Sequence, residues 1–285
     1  VAMIVQITMT RNELFLIKEM LPQWQKYADG FVFMCDRCTD GTYEYLTENK
    51  DKYNILEILT TDFKDGDLDV ETDVRQKLYD AAHKHSEKII CLDTDEYVDG
   101  EMTKSDLETV LEQNKNCVFK TLWIQYTSKD TIRVDGPWRV NFHERIGCYE
   151  KRGVFKEAFS HSEHVPSSDH SFTFGFPDLF IAHLQWLDKK TVGVKQYYWK
   201  ISDYVANREH GASVISPECY DHSVNNFDWE YANIHIPLKV DEKVYEKDDL
   251  QNGYKYKFIK ESVEKYGIPN MNDWGMGIHS GELFK

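Results

Sequence analysis

Three short apolar runs, at residues 3–9, 31–35 and 88–92, alternate with stretches of helical spacing, and this constrains the fold more than any other feature of the chain. Residues 3–9 read as a buried strand; Asn12 is then placed to cap a helix that turns Leu14, Ile17, Leu21 and Trp24 inward. The run 31–35 leads into a polar turn at 36–42, a short helix and a strand-like segment at 55–60. A helix with Val74, Leu78, Ala81 and Ala82 inward precedes the run 88–92, which ends in Asp93-Thr94-Asp95-Glu96-Tyr97. Strands and helices alternating at this length imply right-handed crossovers and a largely parallel sheet. Such a sheet takes ligands beyond the carboxyl ends of its strands, where Asp36 and the pair Asp93 and Asp95 stand.

Beyond residue 115 the alternation changes. Strand-like segments at 117–126, 138–146 and 179–184 come first. A long helix follows over about 188–209, with Val194, Tyr197, Ile201, Tyr204 and Val205 on one stripe and Gly211 past its end. Six of the seven tryptophans lie after residue 120, so aromatic surface is concentrated in this part. With no repeat, low-complexity tract or linker, one mixed α/β domain with a helical C-terminal extension is expected.

Composition narrows the functions open to such a domain. Against 49 Asp and Glu stand 34 Lys and Arg, a net charge of −15 and the wrong sign for a protein that neutralises nucleic-acid phosphates. Residues 1–110 hold 24 acids and 12 bases, and the rest hold 25 and 22, so the acidity sits with the first strands. No run approaches the ~18 apolar residues of a membrane span. Six cysteines are too few for a disulfide scaffold, and Cys35-x-x-Cys38 lacks a second Cys or His pair at metal spacing. With no basic-then-apolar leader, a reducing, cytoplasmic location is expected, with Met3 as the natural start.

The sharpest chemical signal is three acids in four residues after an apolar strand, at Asp93, Asp95 and Glu96. Carboxylate oxygens suit a hard divalent cation, with open positions that substrate phosphates can fill. An EF-hand does not fit, because Tyr97 and Val98 occupy positions where that loop needs an oxygen ligand and a glycine. The acidic run Asp62, Asp65, Asp67, Asp69, Glu71 and Asp73 reads as a solvated loop before the helix bearing Arg75.

Four motifs in order carry a family resemblance: a strand followed by Thr10-Arg11-Asn12-Glu13, the turn from Asp36 to Thr42, the helix with Arg75, and the Asp-x-Asp element at Asp93 and Asp95. The chain thereby resembles the GT-A-fold glycosyltransferases, closest to the family 2 type, over residues 3–100 and more weakly beyond. The resemblance implies a Rossmann-like, mixed, mostly parallel sheet flanked by helices. Residues 1–115 would form the nucleotide-sugar-binding half, 116–210 the acceptor-binding half and 211–285 a C-terminal extension. It implies transfer of a hexose or pentose from a nucleotide-diphosphate sugar to a glycan hydroxyl, with inversion, dependent on Mn²⁺ or Mg²⁺.

By the same resemblance Thr8, Arg11, Asp36, Arg75 and Asp93 would bind the donor. Asp93, Asp95 and His183, the last in Ile181-Ala182-His183, would hold the metal. A cation also makes chemical sense, since a diphosphate leaving group would otherwise meet a carboxylate-rich pocket. For the general base that takes the acceptor proton, Glu163 in His161-Ser162-Glu163-His164 is the candidate, with Glu157 and Asp178 as alternatives. The commoner Glu-Asp base motif of family 2 is absent at this point. Trp138 and Trp186, with Trp123 and Tyr126 nearby in sequence, are candidates to stack on acceptor sugars. Two other readings stand beside this one. A non-catalytic carbohydrate-binding module of the same descent would keep the aromatic half alone. A sugar-nucleotide pyrophosphorylase would need a Gly-rich loop after the first strand, which is absent.

Overall fold

The elements run β1 (Ile4–Thr10), α1 (Leu14–Trp24), β2 (Gly30–Cys35), α2 (Thr42–Glu48), α3 (Lys50–Tyr53), β3 (Ile55–Thr60), α4 (Glu71–His83) and β4 (Lys88–Cys91). Then come β5 (Glu96–Gly100), α5 (Lys104–Gln113), β6 (Cys117–Gln125), β7 (Thr131–Arg133), β8 (Asn141–Cys148) and β9 (Phe172–His183). The last are α6 (Lys189–His210), β10 (Tyr231–Asn233) and α7 (Gln251–Tyr266). The structure is a computed structural model that describes residues 3–63, 70–158, 162–166, 172–211, 220, 229–247 and 251–266. Asp65, Asp67 and Asp69 of the acidic run, and His161, lie outside the described residues.

Eight strands form one sheet in the order β3-β2-β1-β4-β8-β6-β9-β5. β3, β2, β1 and β4 are mutually parallel, β6 and β9 are parallel to each other, and β8 and β5 run against their neighbours. The fold is thus the mixed, mostly parallel α/β sheet flanked by helices that the alternation implied. β7 and β10 make a separate two-stranded antiparallel ribbon.

The parallel strands β1, β2 and β4 are buried on both faces, and side-chain parity divides them between two cores. Ile4, Phe31, Phe33 and Ile90 pack under α1 and α5, against Leu16, Ile17, Met20 and Leu107. Val5, Ile7, Val32 and Ile89 pack under α4, against Val74, Leu78 and Ala82. Each fully buried Leu or Ile contributes ~1.5–3 kcal/mol of apolar burial, which holds the strands in register. α6 begins at Asp188, whose carboxylate accepts from the Thr191 N–H at 2.7 Å, and ends at Gly211 with φ 66°. Its Tyr197, Ile201 and Val205 pack with Ile259 of α7. Among the described residues no helix is long and apolar enough to cross a membrane.

One local expectation is corrected, and one strand is found that the sequence pattern did not suggest. Asn12 does not cap α1: it takes a left-handed φ of 54°, and its side-chain oxygen accepts instead from the Thr39 N–H at 2.7 Å. Asp40, from the next loop, caps both helices, accepting from Leu14 N–H at 2.9 Å and Thr42 N–H at 3.0 Å. The other surprise is β5, whose charged residues hide a strand. Glu96 and Asp99 are buried because other chain segments pair with them: Arg145 with Glu96, Lys26 with Asp99. Gly100 closes this strand at φ 143°, where a Cβ would meet the Asp178 carbonyl oxygen at 2.1 Å.

Candidate active site

The carboxyl ends of β1, β2 and β4 open onto a cavity of about 530 Å³, with Arg11, Asp36, Arg75, Asp93 and Asp95 in its wall. Their grouping follows from the parallel register, since Thr10 stands opposite Cys35 and Ile7 opposite Cys91. The turns after each strand therefore converge. Opposite them, β6, β8 and β9 supply Trp123, His143 and His183, and α6 and α7 supply Lys195, Trp199, Tyr254 and Lys255.

Asp36 is buried and held from three sides. Arg37 forks onto its two oxygens at 2.7 Å each, Arg11 lies at 3.5 Å, and Thr61 donates a hydroxyl. The Arg11 guanidinium also lies 4.0 Å over the Tyr254 ring. Arg75 donates to Glu71 at 2.8 Å and reaches Asp93 at 3.4 Å. Burial works against its charge, and Glu71, Cys91 and Asp93 more than offset this, so its pKa is raised.

Asp93 keeps 37% of its side chain exposed to the cavity, with His164 Nε2 at 3.1 Å. Burial pushes its pKa up, but His164, Arg75 and Arg145 together hold it well below the usual carboxylate range. His164 is itself pushed well below the ordinary histidine value by burial and by Arg145 and Arg75. At neutral pH the pair is an ionised carboxylate beside an imidazole kept neutral.

Asp95 is almost wholly buried, and three groups meet at its Oδ2: Lys195 Nζ at 2.8 Å, His183 Nε2 at 3.4 Å and the Tyr245 hydroxyl at 3.4 Å. Burial alone would raise its pKa; Lys195 and His183 lower it well below the ordinary value. The His183 ring is oriented by Gln125, whose Oε1 lies 2.5 Å from Nδ1 and accepts from the Trp186 indole at 2.6 Å. An indole N–H can only donate, so that Gln125 atom is an oxygen and His183 Nδ1 is its donor. Nε2 is thereby the His183 nitrogen that faces the carboxylate oxygen. Imidazole nitrogen and carboxylate oxygen are both ligand types that a divalent ion takes.

A second cluster, Asp93, Glu96 and His164, offers ligand atoms within 4.8 Å of one another. Glu96 is already committed within it. Its Oε1 accepts from Trp123 Nε1 at 2.7 Å and Arg145 at 2.6 Å, and its Oε2 from the Asp93 N–H at 3.1 Å. The Asp95 and His183 pair, whose shared oxygen Lys195 already meets, is a second candidate cation position. The cavity is also less acidic than the local sequence suggests, since seven carboxylates in its wall face five Lys or Arg side chains.

Not every expected residue reaches the cavity. Thr8 is buried inside β1, where its hydroxyl accepts from Gln6 at 3.1 Å, and Thr10 stands at the wall instead. Glu163 lines the cavity with Lys156 at 3.6 Å, whereas Glu157 is exposed and is not part of the wall. Asp178, five residues before His183 in β9, is exposed and is not part of the wall. Trp138 is at the wall and packs on Trp186, which is buried behind it with ring centroids 4.8 Å apart. His164, Arg145, Lys195 and Tyr254 were not foreseen as site residues. Only tertiary contacts bring them in, and no local spacing marks them.

No family model and no curated protein matches the chain. Distant similarity to solved structures is found. TarS from S. aureus is 14% identical over 98% of this chain and 46% of that one, with a TM-score of 0.36. The mannosyltransferase Ktr4p from S. cerevisiae is 14% identical over 45% of this chain and 41% of its own, with a TM-score of 0.28. The mannosyltransferase PcManGT from Pyrobaculum calidifontis, in complex with GDP-Man and Mn²⁺, is 12% identical over 99% and 79%, with a TM-score of 0.40. The chain spans less than half the length of the first two, and all three TM-scores lie below 0.5.

Proposed function

We propose that this chain is a glycosyltransferase that moves one sugar from a nucleotide-diphosphate donor to a hydroxyl of a glycan acceptor, with inversion. The observation that carries this reading is a single cavity in which Asp36, Arg75, Asp93 and Asp95 face an aromatic wall of Trp123 and Trp138. In this reading Asp36 and Arg11 bind the nucleoside, with Tyr254 bracing the Arg11 guanidinium. Arg75, kept charged by Glu71, faces the diphosphate. Asp93, Asp95 and His183 hold Mn²⁺ or Mg²⁺, which when bound neutralises charge on the leaving group.

The acceptor lies along Trp138. Gln185 is buried with its Nε2 unpaired among the described residues, and it lines the same cavity, ready to donate to an acceptor hydroxyl. Glu163 takes the acceptor proton as the anomeric carbon becomes oxocarbenium-like. Fixed guanidinium and ammonium groups aimed at the leaving phosphates lower the barrier without reorganising during reaction.

The test is a thermal-shift screen of UDP, GDP, dTDP and CDP, each with Mn²⁺, Mg²⁺ or chelator, on the native chain and Asp95→Asn. One nucleotide at 100 times its dissociation constant is expected to stabilise by about 2.7 kcal/mol with metal and far less in the variant. Full sugar transfer by Asp95→Asn would remove the metal assignment. Silence toward every nucleotide would favour the carbohydrate-binding reading, which a glycan array would then examine.

A further inference from the structure

Three groups converge on one carboxylate oxygen, and the nearest is already a cation. Lys195 reaches Asp95 Oδ2 at 2.8 Å from the first turns of α6, a hundred residues further along the chain. The same oxygen faces His183 Nε2 at 3.4 Å, and the two together are the cation position described above. A metal ion bonds carboxylate oxygen and imidazole nitrogen at about 2.0–2.2 Å, well inside the distance the ammonium keeps. An ammonium and a divalent ion on the same oxygen repel strongly in a site this buried. The two therefore cannot share Asp95 on equal terms. Glu13 and Asp93, also in the cavity wall, attract the ammonium as well.

We propose that Lys195 is a resident counter-ion that competes with the divalent cation for Asp95, so that the cation binds weakly to the nucleotide-free protein. When a nucleoside diphosphate enters, its phosphates take over the ammonium and Asp95 turns to the metal. Donor and metal are then taken up together. Lys195 in this way selects a diphosphate-bearing ligand over the bare ion. The inference rests on the assignment of Asp95 and His183 to a cation.

The experiment is a Mn²⁺ titration of the nucleotide-free full chain, read as loss of the free-Mn²⁺ electron paramagnetic resonance signal. It compares the native protein with Lys195→Gln, Lys195→Met, Lys195→Arg and Asp95→Asn. The expected result is Mn²⁺ binding about tenfold tighter in Lys195→Gln and Lys195→Met, with Lys195→Arg close to native. Saturating GDP or UDP should shrink that gap. Gln keeps a donor beside Asp95 without the charge, so it carries the comparison if Met does not fold. Unchanged or weaker Mn²⁺ binding in both neutral variants, with Asp95→Asn still abolishing it, overturns the competition and leaves the metal assignment standing. Native-like Mn²⁺ binding by Asp95→Asn overturns both.

Discussion

On the β3-β2-β1-β4 side of the sheet the cavity is walled by ion pairs, and on the β8-β6-β9 side largely by stacked rings. Arg37 and Arg11 hold Asp36, and Glu71 and Asp93 hold Arg75, through charge-assisted contacts at 2.7–3.5 Å. Opposite them Trp123 stacks on His183 with centroids 4.7 Å apart and meets His143 at 4.4 Å and Trp138 at 5.7 Å. The first wall is suited to a polyanion whose charges need fixed partners, the second to a ligand with apolar faces and few charges. Glu96 joins the walls, because one buried carboxylate accepts from Trp123, Arg145 and the Asp93 backbone.

Cutting that joint is the largest way to break the contrast. Glu96→Gln leaves Arg145, 2% exposed, without its counter-charge, and should cost about 3–5 kcal/mol in urea unfolding. Both walls should loosen together; loss of aromatic packing with the Asp93 loop intact would show them to be independent. Trp138→Ala sharpens the comparison from one side. It should raise the acceptor KM about tenfold, the ~1.4 kcal/mol expected of a lost aromatic contact, while the donor KM stays within twofold. Equal effects on both would sink the division of labour.

The smallest effect concerns pH. Burial and Arg145 push His143 down to about 4, so the folded protein stays unprotonated there while the unfolded chain takes up a proton near 6.5. Its contribution is complete above pH 6.5 and declines as pH falls toward 4, about 1 kcal/mol in all once partial exposure is discounted. Asp93 and Asp95 have depressed values, so their contribution is lost only as pH falls below about 3.9. Urea midpoints between pH 4 and 7 should therefore slope for the native protein and slope less for His143→Gln, where His164 still contributes. An identical slope in both would remove His143 from the account.

Local pattern was enough to read the parallel strands, the helices α1, α4 and α6, and the placing of Asp36, Asp93 and Asp95 at strand ends. Alternation of apolar residues acts over a few positions, and a strand that is followed by a charged turn leaves its acids at the carboxyl edge whatever else the chain does. It failed at β5, where Glu96 and Asp99 imitate a solvated turn, and at Asn12, whose capping role Asp40 takes from 26 residues away.

What the sequence by itself determined, then, is where the carboxylates stand and which face each strand buries. Which cation meets each carboxylate was decided by the tertiary structure: His164 beside Asp93, 71 residues apart, and Lys195 on Asp95, 100 residues apart. The reason is range. Periodicity is set by neighbours along the chain, whereas a buried charge is stabilised by whatever partner the packing of distant elements brings within about 3 Å of it.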